Sequence, residues 1–474
     1  MARPTTSRVL ALAAGTGVLI FSAAVLIAMR ATNLLGDEYT YAAGARTIAR
    51  WLAGDASAAD TLDAVIGTGW FMPGMAIAGA PIYFFSDDPP LWLLRLFPLL
   101  LNLGLFALVC AITWREWGRT HAAALAICPG LMVGWYVAAA GWWPEVPAGL
   151  LTMLALVCCW KIGMRVIDER PVGWRVLLLF ELALVAALYF RGPVLVLAAG
   201  LHAILIVLLL SRRPVLPRRL LQMAAGIALF AVLLLPWSIA ISAKFDKAVP
   251  TTTNVPLVLA NSFAGPEKSC FGACEPGPDI WPAWYFSQDV AAETGENMLD
   301  VQARMLDHAL ADLTASEYLA SVRENFGRFL FDPMQRLRAY QDRMYAVPED
   351  WREPLIGLVS AITLIVYVPF LLALLLANIL PFRRSDNLRT QSILLKAATA
   401  CAFIQPFVHK SSARYWTGFA PLMAWAAALL MSAWLQRRAG KTASTMPGWI
   451  DWAQRGYGVA FFACGVLIAV GLPA

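Results

Sequence analysis

Long apolar runs dominate the chain, and short polar turns separate them except at two places. An apolar stretch of about 18 or more residues can cross the hydrocarbon core of a bilayer as a helix. Eleven runs approach or reach that length, roughly 9–29, 91–113, 122–140, 146–160, 176–190, 193–210, 221–241, 355–377, 391–408, 418–435 and 457–472. Two intervening segments are too large to be turns. Residues 30–90 hold a polar stretch and a short apolar piece, Met72 to Phe85, that is too brief to span. Residues 242–354 form a segment of a length that usually carries function. Within it, helical spacing predicts helices over 289–312 and 316–331. Val301, Met305, Leu306 and Leu310 face one way on the first; Tyr318, Val322, Phe326 and Phe329 share a face on the second.

The predicted fold is therefore an all-α polytopic membrane protein with about 11 transmembrane helices. An N-terminal transmembrane module over 1–240 carries the first external loop, 30–90. A large, mostly helical external domain occupies 241–354, and further transmembrane helices fill 355–474. The first run, about 21 residues with no small-residue cleavage site after Met29-Arg30, reads as an anchor rather than a signal peptide. No tandem or inverted repeat is visible.

Composition agrees. Hydrophobic residues make up 59% and charged residues 14%, with a mean hydropathy of +0.63. A soluble domain could not cover that much apolar surface, and disorder and collagen-like structure are excluded by the same figures. Charge sets the orientation. With the N-terminus inside, the cytoplasmic segments hold nineteen basic residues, among them Arg3, Arg8, Arg212, Arg213, Arg384 and Lys441, against five acidic ones. The N-terminus is predicted cytoplasmic and the C-terminus external. Of 31 acidic residues, 25 then lie outside, which makes the few external cations conspicuous.

Ionisable groups at a membrane boundary are functional candidates. Asp37 and Glu38 follow the first run by eight residues and open an amphipathic helix in which Tyr41, Ala45, Ile48 and Leu52 oppose Arg46 and Arg50. One reading makes Asp37 the N-cap and Glu38 a dipole partner. The other places a partly desolvated carboxylate where it can act as a general base. The external cluster Phe407-Val408-His409-Lys410-Ser411-Ser412-Ala413-Arg414-Tyr415 suits a lipid-linked phosphate, or else an interfacial anchor. Glu145, Arg191 and Arg95 fall at the same predicted depth on other elements. Glu181 and His202, on the two arms of a hairpin, are expected to share a structural hydrogen bond, with a proton relay as the other reading. Cys270 and Cys274 stand together in the large external segment and are expected to form a disulfide, since a two-thiol metal site would lack its other ligands. Phosphate-binding glycine loops, zinc-protease spacing and a Ser/His/Asp set are absent.

Taken in order, these motifs resemble the GT-C superfamily of membrane glycosyltransferases. The nearest branch is the bacterial family similar to dolichyl-phosphate-mannose protein mannosyltransferases, which includes aminoarabinose transferases. Asp37-Glu38 resembles its acidic pair after the first span, and Trp70-Phe71-Met72-Pro73-Gly74 its Pro-Pro-Gly segment. Arg95, Pro144-Glu145 and Tyr189-Phe190-Arg191-Gly192-Pro193 follow in order. So do Leu235-Pro236-Trp237-Ser238-Ile239 with Val249-Pro250-Thr251-Thr252-Thr253-Asn254, and His409, Arg414-Tyr415 and Pro421. Ala240, Val255 and the Gly after Arg191 depart from the pattern. The resemblance spans about residues 30–435.

The resemblance implies an inverting transfer of a sugar from a polyprenyl-phosphate carrier to a lipid, glycan or protein acceptor at the periplasmic face of the bacterial inner membrane. Asp37 would be the general base, supported by Glu38. Arg414, Lys410, His409, Tyr415, Arg191 and Arg95 would bind the donor phosphate, and Glu145 would either bind the acceptor or support the site. No cofactor is required beyond the donor lipid, nucleic acid is no partner, and a divalent metal stays open without a complete ligand set. The alternatives are a lipid-linked glycan flippase or transporter, whose polar residues would gather near the midplane, and a polysaccharide polymerase or ligase.

Overall fold

The computed structural model describes residues 6–211, 217–277, 280–383, 385–410, 412, 414–438, 446 and 448–470. Arg3, Arg212, Arg213, Arg384, Lys441, Ser411 and Ala413, and the side chain of Arg8, lie outside that description. Among the described residues there is no strand; the chain is a multi-pass helical membrane protein.

Helix α1 (Thr6–Met29) leads through a turn into α2 (Asp37–Ala53), α3 (Ala58–Ile66) and α4 (Gly74–Gly79), a short apolar helix continued by a 3-10 turn to Phe84. The bundle continues with α5 (Leu91–Trp117), α6 (Arg119–Ile127), α7 (Val133–Ala140), α8 (Glu145–Ile167), α9 (Trp174–Phe190), α10 (Val194–Leu210) and α11 (Pro217–Phe245). The long second segment folds into α12 (Val255–Phe263), α13 (Gly265–Ser269), α14 (Trp281–Thr294), α15 (Met298–Leu310), α16 (Ala315–Phe326) and α17 (Gln335–Tyr340). Helices α18 (Glu349–Ile379), α19 (Asp386–Phe403), α20 (Gln405–Val408), α21 (Trp416–Arg438) and α22 (Trp449–Val470) complete the chain.

Seven helices among the described residues are long and apolar enough to cross a membrane: α5, α8, α11, α18, α19 with α20, α21 and α22. The expected eleven runs all fall on helices, but four do not meet that criterion. Helices α9 and α10 have 17 residues each, and the described apolar part of α1 begins at Gly15. The run 122–140 is not one helix. It breaks between α6 and α7 at Pro129, which has no N–H to donate, and Gly130, whose carbonyl accepts the Tyr136 hydroxyl at 2.7 Å.

Helix α8 is the centre of the bundle. Two thirds (67%) of its most apolar stretch is buried within the protein, against 11% for the peripheral α22. Glu145 in its first turn and Arg165 in its last agree with the helix dipole. Around it stand α5, α9, α10, α19 and α21. The crossing with α21 is a backbone contact: a Cβ on Gly149 would lie 2.1 Å from the Gly418 carbonyl oxygen. Small residues let membrane helices approach this closely, and the contact brings the first turns of α8 and α21 side by side. Between α9 and α10, His202 Nε2 lies 3.1 Å from both Glu181 oxygens while its Nδ1 bonds the Ala198 carbonyl, the pairing expected from the hairpin.

The two long inter-helix segments meet at one end of the bundle. Thr253 donates its N–H to the Gly69 carbonyl and its hydroxyl to Thr68, at 2.9 Å each. Gly69 has φ +73°, and a Cβ there would meet Thr253 and Phe245 at 2.7 Å, so this join requires glycine. The expected helix over 289–312 is two helices, because Gly295 ends α14 in the left-handed region and Asn297 caps α15 through Leu299 N–H. The expected face survives in part: Val301 and Met305 are buried, Leu306 and Leu310 half-buried. Cys270 and Cys274 are joined by a disulfide. The 235–255 motifs fold back on α11: Trp237 Nε1 donates to the Thr251 carbonyl and Ser238 to that of Pro250, both at 2.7 Å.

Candidate active site

Helix α2 starts after Gly36, whose φ of +51° turns the chain into it, so Asp37 is the first helical residue rather than the N-cap. Its buried face is narrower than the predicted stripe. Tyr41, Ala42, Ala45 and Ala49 are inside, Ile48 is half-buried and Leu52 is exposed. Asp37 and Glu38, about 100° apart around the helix, take different surroundings.

Glu38 is fully buried. Its Oε1 accepts from Arg95 Nη1 at 2.6 Å and from Trp142 N–H at 2.9 Å; its Oε2 accepts from Leu35 N–H at 2.7 Å and from Arg95 Nη2 at 3.3 Å. Arg95, also fully buried, turns its remaining donors to the carbonyls of Asn33 (2.7 Å) and Thr32 (3.2 and 3.3 Å). This departs from the phosphate contact expected of Arg95. Arg95 serves a carboxylate and two backbone carbonyls rather than facing a phosphate, and Glu38 is enclosed. Together they lock the 32–38 turn to α5 and to the turn before α8.

Asp37, by contrast, is partly open. Its Oδ2 accepts from Arg414 Nη2 at 2.7 Å, and Arg414 Nε donates to Glu145 Oε1 at 2.9 Å. Arg191, capping α9, approaches the same oxygen at 3.7 Å. Two aromatic rings fix the guanidinium groups. Arg414 lies 4.3 Å from the Trp143 ring centroid, and Arg191 lies 4.4 Å from that of Tyr415. Glu145 is 1% exposed, yet among the described residues its Oε2 has no hydrogen-bond partner. A buried carboxylate oxygen left unpaired is costly and suits a site that receives a donor from a ligand.

Burial works to lower the Arg414 pKa, but Glu145 and Asp37 outweigh it, and the guanidinium is held well above its ordinary value. Tyr41, buried beside these charges, has its hydroxyl pushed well up by burial and by Asp37 and Glu145. His409 lies on the loop that carries Arg414. Burial, with smaller contributions from Arg191 and Arg414, lowers it to about 4, so it is neutral near pH 7. Its Nδ1 bonds the Lys410 carbonyl, which makes Nδ1 the donor of the neutral ring and Nε2 an acceptor. Lys410 is half-buried, with its N–H held by Ser262 Oγ of α12.

No family model matches the chain, and no curated protein does. Two solved structures are similar. Both are ArnT from Cupriavidus metallidurans. The form bound to undecaprenyl phosphate is 16% identical at a TM-score of 0.37 over 89% of this chain and 77% of that one. The apo form is 16% identical at 0.36 over 90% and 79%.

Of the predicted residues, Asp37, Glu145, Arg191, Arg414 and Tyr415 converge, Glu38 and Arg95 form the adjoining buried node, and His409 and Lys410 lie on the loop that carries Arg414. Trp143 and Tyr340, which no sequence pattern marks, join the same centre. Trp143 donates its Nε1–H to the Tyr340 hydroxyl at 2.8 Å, and the Arg95 guanidinium lies 5.4 Å from the Tyr340 ring centroid. Among the described residues no group of three His, Cys, Asp or Glu side chains is arranged to hold a metal ion.

Proposed function

We propose that this chain is an inverting glycosyltransferase of the GT-C type, moving a sugar from a polyprenyl-phosphate donor to an acceptor hydroxyl at the periplasmic face of a bacterial inner membrane. The observation that supports it is the Asp37–Arg414 pair, flanked by Glu145 and Arg191, at the end of an apolar bundle where both long segments meet. A prenyl tail lies in lipid, while its phosphate needs cations at that boundary.

Asp37, Glu145, Arg191 and Arg414 sum to zero charge. An incoming phosphodiester competes with Asp37 for Arg414, so donor binding releases the carboxylate that the next step needs. Asp37 then takes the acceptor hydroxyl proton as that oxygen attacks the anomeric carbon. The bond from that carbon to the phosphate oxygen breaks, and the electron pair leaves with polyprenyl phosphate, stabilised by Arg414 and Arg191, with Lys410 as a further cation. Inversion follows from a single displacement. Glu38 and Arg95 take no proton and hold Asp37 in place. The long segment 241–354 covers the site and contributes to acceptor choice.

The test is transfer of labelled sugar from a polyprenyl-phosphate donor by wild type and Asp37→Asn, which is expected to lose about 10²–10⁴-fold. Full transfer by a folded Asp37→Asn variant would reject the assignment.

A further inference from the structure

Tyr340 comes from the long segment, yet its side chain is fully buried in the bundle end. It touches both supports of the proposed reacting pair. Its hydroxyl accepts from Trp143, whose ring lies against Arg414, and its ring faces Arg95, which holds Glu38 beside Asp37. The segment around it is pinned independently. Tyr367 of α18 donates its hydroxyl to the Leu330 carbonyl at 2.8 Å, and Trp416, two residues after Arg414, donates Nε1–H to the Pro333 carbonyl at 2.8 Å. Further along the site loop, Tyr318 and Asn325 of α16 donate to the carbonyls of Phe407 (3.0 Å) and Pro406 (3.2 Å), and Ser262 holds Lys410 N–H.

We infer that Tyr340 is a positioning residue, and that Asp37 and Arg414 take their working geometry only when the long segment is docked through it. Resting on the proposed function, this gives that segment a part in assembling the site as well as covering it. A surface cover would contact the site's rim. This segment instead reaches beneath it, to the residues on which the two charged side chains rest.

Tyr340→Phe keeps the ring and removes the oxygen that accepts from Trp143; Tyr340→Ala removes both. Amide exchange of the peptides covering 35–42 and 405–416 is followed by mass spectrometry in the purified full chain, with 150–160 in α8 as internal reference, beside transfer kinetics. In Tyr340→Phe both site peptides are expected to exchange faster while the reference is unchanged, and more so in Tyr340→Ala. Unchanged exchange at the site peptides overturns the inference, as does an equal rise in the reference, which marks a general loosening. This arm decides the matter whether or not the chain proves to be a transferase. Where wild type transfers sugar, kcat of Tyr340→Phe falls about tenfold with the donor KM unchanged. A loss confined to KM, or no loss, overturns it. Absence of transfer by wild type counts against the proposed function alone.

Discussion

Glu38→Gln separates a structural from a chemical role for the second carboxylate. Each Glu38 oxygen accepts two donors: Arg95 Nη1 and Trp142 N–H at one, Leu35 N–H and Arg95 Nη2 at the other. An amide in either orientation points an NH2 at two of them and leaves Arg95 charged with no counter-charge at zero exposure. Removing one partner of a buried ion pair costs about 3–5 kcal/mol. The matched control is Asp87→Asn, since Asp87 pairs with Arg46 at 3.7 Å with both side chains about half exposed or more. That change should stay within about 0.5 kcal/mol. Adding Arg95→Met to Glu38→Gln removes the stranded charge and should recover about 1–3 kcal/mol relative to additivity. The assay is thermal unfolding of the purified chain in detergent by tryptophan fluorescence at a fixed scan rate. A Glu38→Gln variant that unfolds like Asp87→Asn while losing all sugar transfer would refute the reasoning and return Glu38 to the chemistry.

The helix crossing gives a second prediction. Gly149→Ala drives a Cβ into the Gly418 carbonyl, whereas the same change at Gly104 of α5 meets nothing within 4 Å. Gly149→Ala should destabilise by about 1–3 kcal/mol or more and reduce transfer further, because it spreads Glu145 from Arg414. Similar unfolding and activity in the two variants would show that the crossing is not tight. The pH dependence of His409 is a third. Its folded pKa of about 4 lies below its unfolded 6.5, so as pH falls through that window the unfolded state binds the proton first and stability is lost. Wild type should therefore lose its thermal advantage over His409→Gln between pH 6.5 and 4 and keep it unchanged above pH 7. An advantage that grows on acidification would mean that the imidazole is charged in the fold.

Much of the fold was legible because lipid imposes a simple demand, a long apolar run for each crossing. Seven of the eleven runs are, among the described residues, helices long and apolar enough to cross a membrane, and both long segments are largely helical. What failed was whatever one residue decides. Pro129 split a run that hydropathy reads as continuous, and Gly295 split another. At the site, charges at a common depth pointed to Asp37, Glu145, Arg191 and Arg414. Depth alone could not distinguish Arg95, which turns to Glu38 across 57 residues, from Arg414, which faces Asp37. Trp143 and Tyr340 left no signal, being two aromatics among 19 tryptophans and 12 tyrosines. Their importance lies in a contact between distant segments, and no local spacing encodes it.

The Glu181–His202 pair bears on how the protein enters the membrane. Helices α9 and α10 are short, adjacent and joined by three residues, and the interior of each holds an ionisable side chain that lipid would reject, Glu181 on α9 and His202 on α10. A charge alone at mid-membrane costs about 2.5–3.5 kcal/mol on insertion. Delivered as a hairpin, the two helices present a carboxylate and an imidazole already bonded to each other. Gly226 of α11, where a Cβ would sit 2.5 Å from Glu181, leaves room for the third helix to close over the pair. The bonded pair keeps both polar groups from facing lipid singly, and Gly226 lets α11 pack directly against it.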